Sequence, residues 1–188
     1  VKPEFQAGDA LLVVDVQRDF CAGGALAVPG GDEVVPVLNR WIGAAEAAGI
    51  PIFLSRDWHP SGHVSFETRG GPWPPHCVQD TPGAELHPRL AAPASARFVT
   101  KGVRFDKDQS SAFDETGLDI ELRHLGVRRL WVGGLALDVC VRDSVIGALH
   151  CGLEVCVIAD ATRAVDREAG ERALAEMRDA GARIETPG

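Results

Sequence analysis

Five short apolar runs punctuate this chain, each too short for a helix and apolar on both faces. They fall at residues 10–14, 50–54, 98–100, 130–132 and 155–159. Such runs are the signature of buried parallel strands. The stretches between them carry helical spacing instead. Val34, Leu38, Trp41, Ile42 and Ala45 recur at that period before Gly49, and Leu118, Leu122 and Leu125 do so before Gly126. Thr116 with Asp119 resembles a capping box for the second of these. Helices are also predicted over about 138–151, stopped by Gly152, and over 166–180, followed by Gly181, with a last strand at 183–185. Strand–helix alternation of this kind builds right-handed parallel units. The expected fold is α/β: a three-layer, doubly wound, six-stranded parallel sheet of Rossmann-like topology, forming one domain over 1–188.

Composition narrows the partners. The net charge of −8 and the absence of any basic run argue against nucleic acid. No stretch approaches the roughly 20 apolar residues of a membrane span, so no membrane partner is expected. Residues 1–9 lack the basic head and apolar block of a secretory leader, although the chain does not begin with Met. Five cysteines without close pairing then read as reduced thiols in a cytoplasmic protein, one of them free to do chemistry.

In a doubly wound sheet the ligand crevice lies at the carboxyl ends of the strands. The residues there are Asp15, Asp57, Lys101 and the turn 133–140 that ends in Cys140. Four strands thus deliver two carboxylates, an ammonium and a thiol to one edge. Cys140 is expected in the first turn of the following helix, where free N–H groups and the helix dipole favour a thiolate and can hold an oxyanion. Asp15 is a candidate base for its proton, and Lys101 a cation that keeps Asp15 ionised. A structural ion pair between Asp15 and Lys101 is the competing reading. Cys21, Cys77, Cys151 and Cys156 lack this setting and are read as structural.

A second constellation is Asp57-Trp58-His59-Pro60 followed by Trp73-Pro74-Pro75-His76, within an irregular, Pro- and Gly-rich segment over 58–96. So long an irregular stretch is usually functional. Asp57 and His59, two apart in extended chain, can face one ion, and His76 can complete a set of one carboxylate and two imidazoles. That set leaves positions open for water or substrate and suits zinc, iron(II) or manganese. An unrelated polar turn is the plain alternative, because Asp-x-His alone is a weak pattern. His63 is a further candidate ligand, and His87, His124 and His150 read as ordinary polar side chains. No Gly-x-Ser-x-Gly elbow, phosphate loop, dinucleotide fingerprint, Cys-x-x-Cys pair or His-Glu-x-x-His occurs.

These residues resemble the nicotinamidase (pyrazinamidase) branch of the isochorismatase-like cysteine hydrolases. The resemblance rests on Leu12-Val13-Val14-Asp15-Val16-Gln17-Arg18-Asp19-Phe20, Asp57-Trp58-His59-Pro60, Trp73-Pro74-Pro75-His76-Cys77-Val78-Gln79, Thr81-Pro82-Gly83-Ala84-Glu85-Leu86, Lys101-Gly102 and Gly134-Leu135-Ala136-Leu137-Asp138-Val139-Cys140-Val141. It implies an amidohydrolase that converts nicotinamide to nicotinate and ammonia through a cysteine thioester, in NAD salvage, with pyrazinamide as a further substrate. Asp15, Lys101 and Cys140 match the family's catalytic triad, and Asp57, His59 and His76 its ligands for one divalent metal ion, zinc before iron or manganese. Phe20 and Trp73 match aromatic positions that bind the pyridine ring. Leu135-Ala136 matches a cis peptide that lets the Ala136 and Cys140 N–H groups form the oxyanion hole. The resemblance also implies a homo-oligomer.

Two positions depart from the family pattern. Leu137 stands where Thr or Ser is usual, and Val139 where Tyr or His is common. The loop between Lys101 and Phe113 is unusually charged. These departures motivate an alternative amidase of the same superfamily acting on a carbamoyl, ureido or other small amide. Iron(II) oxygenase chemistry at the two-His, one-carboxylate set and a non-catalytic scaffold are the readings from other classes. The first suits β-barrel folds better than this alternation, and the second conflicts with retention of all six triad and ligand residues.

Overall fold

A computed structural model describes residues 3–186; Val1 and Lys2, at the head of the segment searched for a leader, lie outside the described residues, as do Pro187 and Gly188. Six strands form one sheet: β1 (Asp9–Val14), β2 (Ile52–Asp57), β3 (Arg97–Lys101), β4 (Arg129–Leu135), β5 (Glu154–Arg163) and β6 (Arg183–Glu185). Every pairing is parallel, and the spatial order is β3-β2-β1-β4-β5-β6. The two halves run in opposite directions from β1 and β4, which opens a crevice at their carboxyl ends.

Side-chain alternation along β1 explains the three layers. Leu11 and Val13 join one buried cluster with Leu38, Trp41, Ile42 and Ala45 of α1 (Val34–Ala47). Ala10, Leu12 and Val14 join the other, with residues of α2 (Leu118–His124), α3 (Arg142–His150) and α4 (Arg167–Asp179). Both faces of the central strand are covered, so all six of its residues are buried. At the amino edge of the sheet, Asp9 ties β1 to β4. Its carboxylate accepts from Arg129 Nε at 2.8 Å and Nη2 at 2.7 Å, and from the Trp131 indole at 3.2 Å.

Two local expectations change. The helix that starts at Gly117 is not opened by a capping box. Gly117 itself is the cap, at φ 78°, and Thr116 Oγ1 accepts from the Leu118 N–H at 3.2 Å while donating to the Ala112 carbonyl at 2.6 Å. Asp119 instead faces Arg123 on the surface at 3.7 Å. The segment after β4 is not α-helical from residue 138. A wider, π-type turn spans Leu137–Val141, and α3 begins at Arg142.

Candidate active site

Three strand ends and one turn converge at the crevice. Asp57 and Lys101 are register partners on the adjacent strands β2 and β3. Lys101, wholly buried, extends across β2 toward the end of β1. Its Nζ lies 2.5 Å from Asp57 Oδ1, 2.7 Å from Asp15 Oδ2 and 3.5 Å from Cys140 Sγ. The sequence pairs Lys101 with Asp15 alone; the structure adds Asp57, so one ammonium joins the triad to the second constellation. Asp15 is fixed from its other side, where Ser55 Oγ donates to Oδ1 at 2.7 Å. Its Oδ2 faces the Lys101 ammonium at 2.7 Å, so the carboxylate is held from both sides.

Electrostatics follow from burial and this one cation. Burial favours the neutral amine of Lys101, but the Asp15 and Asp57 carboxylates hold it well above its usual range, so it remains an ammonium. Burial raises Asp15; Lys101 opposes that and Asp57 adds to it, for a net rise. Asp57 goes the other way, because Lys101 and His59 outweigh its burial. Cys140 is pushed well above the ordinary thiol range by burial, with Lys101 pulling against it. Burial of the sulfur thus works against the thiolate expected at a helix start, and the Lys101 ammonium works for it.

The turn that presents Cys140 is closed on itself. The Leu135–Ala136 peptide is cis. The Ala136 carbonyl accepts from the Val139 and Val141 N–H groups at 3.1 Å each. Among the described residues the Ala136 N–H has no partner. Gly134, at φ 132°, is required here because a Cβ would lie 2.1 Å from the Val14 carbonyl oxygen. The Asp138 carboxylate accepts from the Val165 and Asp166 N–H groups at 2.9 and 3.1 Å, fixing the turn against the start of α4. Val139 lines the cavity, whereas Leu137 packs into the core beside α4.

Asp57, His59 and His76 are all buried and can bring one ligand atom each within 4.8 Å of one another. Their hydrogen bonds fit a metal. His59 Nδ1 lies 2.9 Å from the Gly102 carbonyl and His76 Nδ1 lies 2.8 Å from that of Pro74. A carbonyl only accepts, so both Nδ1 atoms carry protons, and the neutral rings would offer both Nε2 lone pairs to an ion, as ligating histidines do. Asp57 spends Oδ1 on Lys101 and keeps Oδ2, 3.5 Å from His59 Nε2. His63 is placed differently. It stacks on His59 with centroids 4.0 Å apart, accepts at Nδ1 from the Ser65 N–H at 3.3 Å, and sets Nε2 against the Lys107 carbonyl at 3.3 Å. The compact group of Asp57, His59 and His76 does not include it.

Cys21, Asp32 and His87 form another compact group but fail this test. The Arg89 N–H points at His87 Nδ1 from 3.2 Å, so Nε2 must hold the proton, which it gives to Asp32 Oδ1 at 3.1 Å. Burial and Asp32 push the Cys21 thiol up to about 11. His87 is thus more than an ordinary surface histidine: it is buried and pins the Asp32 loop. Cys77 and Cys156 are buried free thiols and Cys151 an exposed one.

A cavity joins the two halves of the site. It is lined by Cys140, Ala136 and Val139, by Asp57, His59, His76 and Ser65, and by Phe20, Leu26, Val28, Val165 and Trp73. A sequence model of the isochorismatase domain matches residues 9–186. The chain belongs to the isochorismatase family. Within it, the chain is 42% identical to the nicotinamidase of Escherichia coli K12, over 94% of each chain. The crystal structure of the pyrazinamidase of Pyrococcus horikoshii in complex with zinc superposes with a TM-score of 0.93 at 44% identity, covering 96% of this chain and 99% of that one. The PnC1 protein of L. infantum in complex with nicotinate gives 0.88 at 38%, covering 96% and 93%.

Several residues of this isochorismatase-family site carry no signal in local sequence pattern. Gln17 is fully buried; Nε2 donates to the Asp57 and Ala84 carbonyls at 2.7 and 2.8 Å, and Oε1 accepts from the Asp57 N–H at 2.8 Å. It locks the end of β2 to the loop after β1. Asp19 accepts from the Cys77 N–H at 2.8 Å, next to His76. Both lie in the stretch around Asp15, in which the sequence assigns roles to Asp15 and Phe20 alone. Ser65, Asp108, Gln109 and Ser110 also line the cavity. No helix among the described residues is long and apolar enough to cross a membrane.

Proposed function

We propose that this chain is an amidohydrolase that converts nicotinamide to nicotinate and ammonia through a Cys140 thioester, and that it hydrolyses pyrazinamide by the same route. One observation carries the reading. A single buried ammonium, Lys101, reaches the Asp15 carboxylate, the Cys140 sulfur and the Asp57 carboxylate, and Cys140 and Asp57 line one cavity with the aromatic side chains of Phe20 and Trp73.

Phe20 and Trp73 take the ring between them, with the carboxamide carbon set over Cys140. Asp15 removes the thiol proton as sulfur attacks that carbon, so an unfavourable free thiolate is never required. The carbonyl oxygen becomes an oxyanion and is received by the N–H groups of Ala136 and Cys140. Asp15 then gives its proton to the departing nitrogen; the C–N bond breaks, ammonia leaves, and a thioester remains. Water attacks the thioester while Asp15 takes its proton, and the C–S bond breaks as that proton returns to sulfur. Lys101 stays charged throughout and offsets the negative charge that moves among Asp15, Cys140 and the substrate. Asp57, His59 and His76 would hold one divalent ion, zinc in the first place and iron or manganese otherwise. When bound, that ion supplies a Lewis acid that anchors the ring nitrogen and so orients the amide. We place the reaction in pyridine-nucleotide (NAD) salvage in the cytoplasm, where five free cysteines stay reduced.

The test is ammonia release from nicotinamide by the wild type and by Cys140→Ala. Turnover in the first, none in the second and equal metal content in both are expected. Full activity in Cys140→Ala refutes the reading.

A further inference from the structure

Gln109 is a buried acceptor to which neither the triad nor the ligand set gives a partner. It lines the same cavity as Cys140 and His59, is 3% exposed, and has no hydrogen-bond donor at Oε1. The amide cannot turn to relieve this. Its Nε2 donates to the Asp114 carbonyl at 2.7 Å, and a flipped amide would set oxygen against oxygen.

The backbone around it is equally constrained. Asp108, Gln109 and Ser110 line the cavity, and the chain on either side of them is anchored. On the amino side the Lys107 carbonyl lies 3.3 Å from His63 Nε2. On the carboxyl side the Ser110 hydroxyl bonds to Asp143, and the Ala112 N–H donates to Ser144 Oγ at 2.9 Å, about one helical turn beyond the thiol. Gln109 lies between these anchors.

A buried acceptor without a donor is destabilising, and an occupant that brings an N–H recovers the loss. A pyridine carboxamide carries N–H groups only on its amide nitrogen; its ring offers C–H. There are two of them, so one remains when the other faces Asp15. The carboxylate product carries no donor and would set an anion beside the Gln109 oxygen. An ester of the same acid carries neither donor nor charge.

We infer that Gln109 determines specificity by reading the amide itself: Oε1 accepts one N–H of the substrate carboxamide and favours it over the ester and the acid of the same ring. The inference rests on the proposed nicotinamide hydrolysis and adds to it a residue outside the triad and the ligand set.

The experiment compares the KM of nicotinamide with the inhibition constant of methyl nicotinate as a competitor, which needs no turnover of the ester. Wild type and Gln109→Met are measured, methionine having similar length and no acceptor. Loss of one neutral hydrogen bond should raise the KM by roughly five- to tenfold while the ester constant stays within about twofold. Gln109→Leu replaces Gln109→Met if thermal melting shows the latter unfolded. Parallel rises in both constants mark a merely structural role and overturn the inference, as does an unchanged KM. A wild type that releases no ammonia from nicotinamide overturns the functional reading and this inference with it, so the two failures are told apart.

Discussion

Replacing Lys101 by Met removes the ammonium that lies between two buried carboxylates while keeping most of the stem's volume. Asp15 is 0% exposed and does not line the cavity, so its carboxylate cannot recruit water in place of the ammonium. Breaking a buried ion pair from one side costs about 3–5 kcal/mol, because the remaining charge is left uncompensated. For a chain of this length each kcal/mol moves the melting temperature by about 2–4 °C, so Lys101→Met should melt roughly 6–20 °C below wild type near neutral pH. Adding Asp15→Asn removes one of the orphaned charges, and the double variant should recover part of the loss despite carrying two changes. Calorimetry at matched metal content provides both numbers, and ammonia release should be absent from each variant. A shift under about 3 °C for Lys101→Met, or a double variant less stable than the single one, would mean that Lys101 does not neutralise this cluster.

Two further outcomes test the scaffold. Gly102, at φ 66°, sits so close to His59 that a Cβ would lie 2.4 Å from the ring; Gly102→Ala should displace the imidazole and weaken zinc binding by roughly 10- to 100-fold, read by metal analysis after dialysis. Unchanged zinc content would separate His59 from the ligand set. At the far edge of the sheet, burial raises Asp9, but the hydrogen bonds from Arg129, Gln6 and Trp131 outweigh it, so its folded pKa lies below the ordinary value. Its contribution is complete above that ordinary value, near 3.8, and is lost as pH falls through the lower folded one. Asp9→Asn should therefore destabilise by about 2 kcal/mol at neutral pH, with the gap to wild type closing in acid. A gap independent of pH would contradict this assignment.

Much of the fold could be read from residues alone because parallel strands buried on both faces leave continuous apolar runs. The same property exposed the site: Asp15, Asp57 and Lys101 each follow such a run, where a doubly wound sheet places its ligand. The bridging role of Lys101 was not legible, since it depends on strand order. With β2 between β1 and β3, a lysine ending β3 must pass Asp57 to reach Asp15. The long loops were opaque for a related reason. They are held by side chains bonding to distant backbone, such as Gln17 to Ala84 and Asp19 to Cys77, and no local period encodes contacts over such separations. The burial of the Cys140 sulfur was not legible either, because the sequence shows a helix start but not the π-type turn before it.

Hydroxylamine capture tests the central chemistry most directly. If an acyl group resides on Cys140, hydroxylamine competes with water for it during turnover of nicotinamide. The hydroxamate should then rise with hydroxylamine concentration at the expense of nicotinate. Nicotinate as sole product at every hydroxylamine concentration, with ammonia still released, would contradict the thioester route and point to direct attack by water.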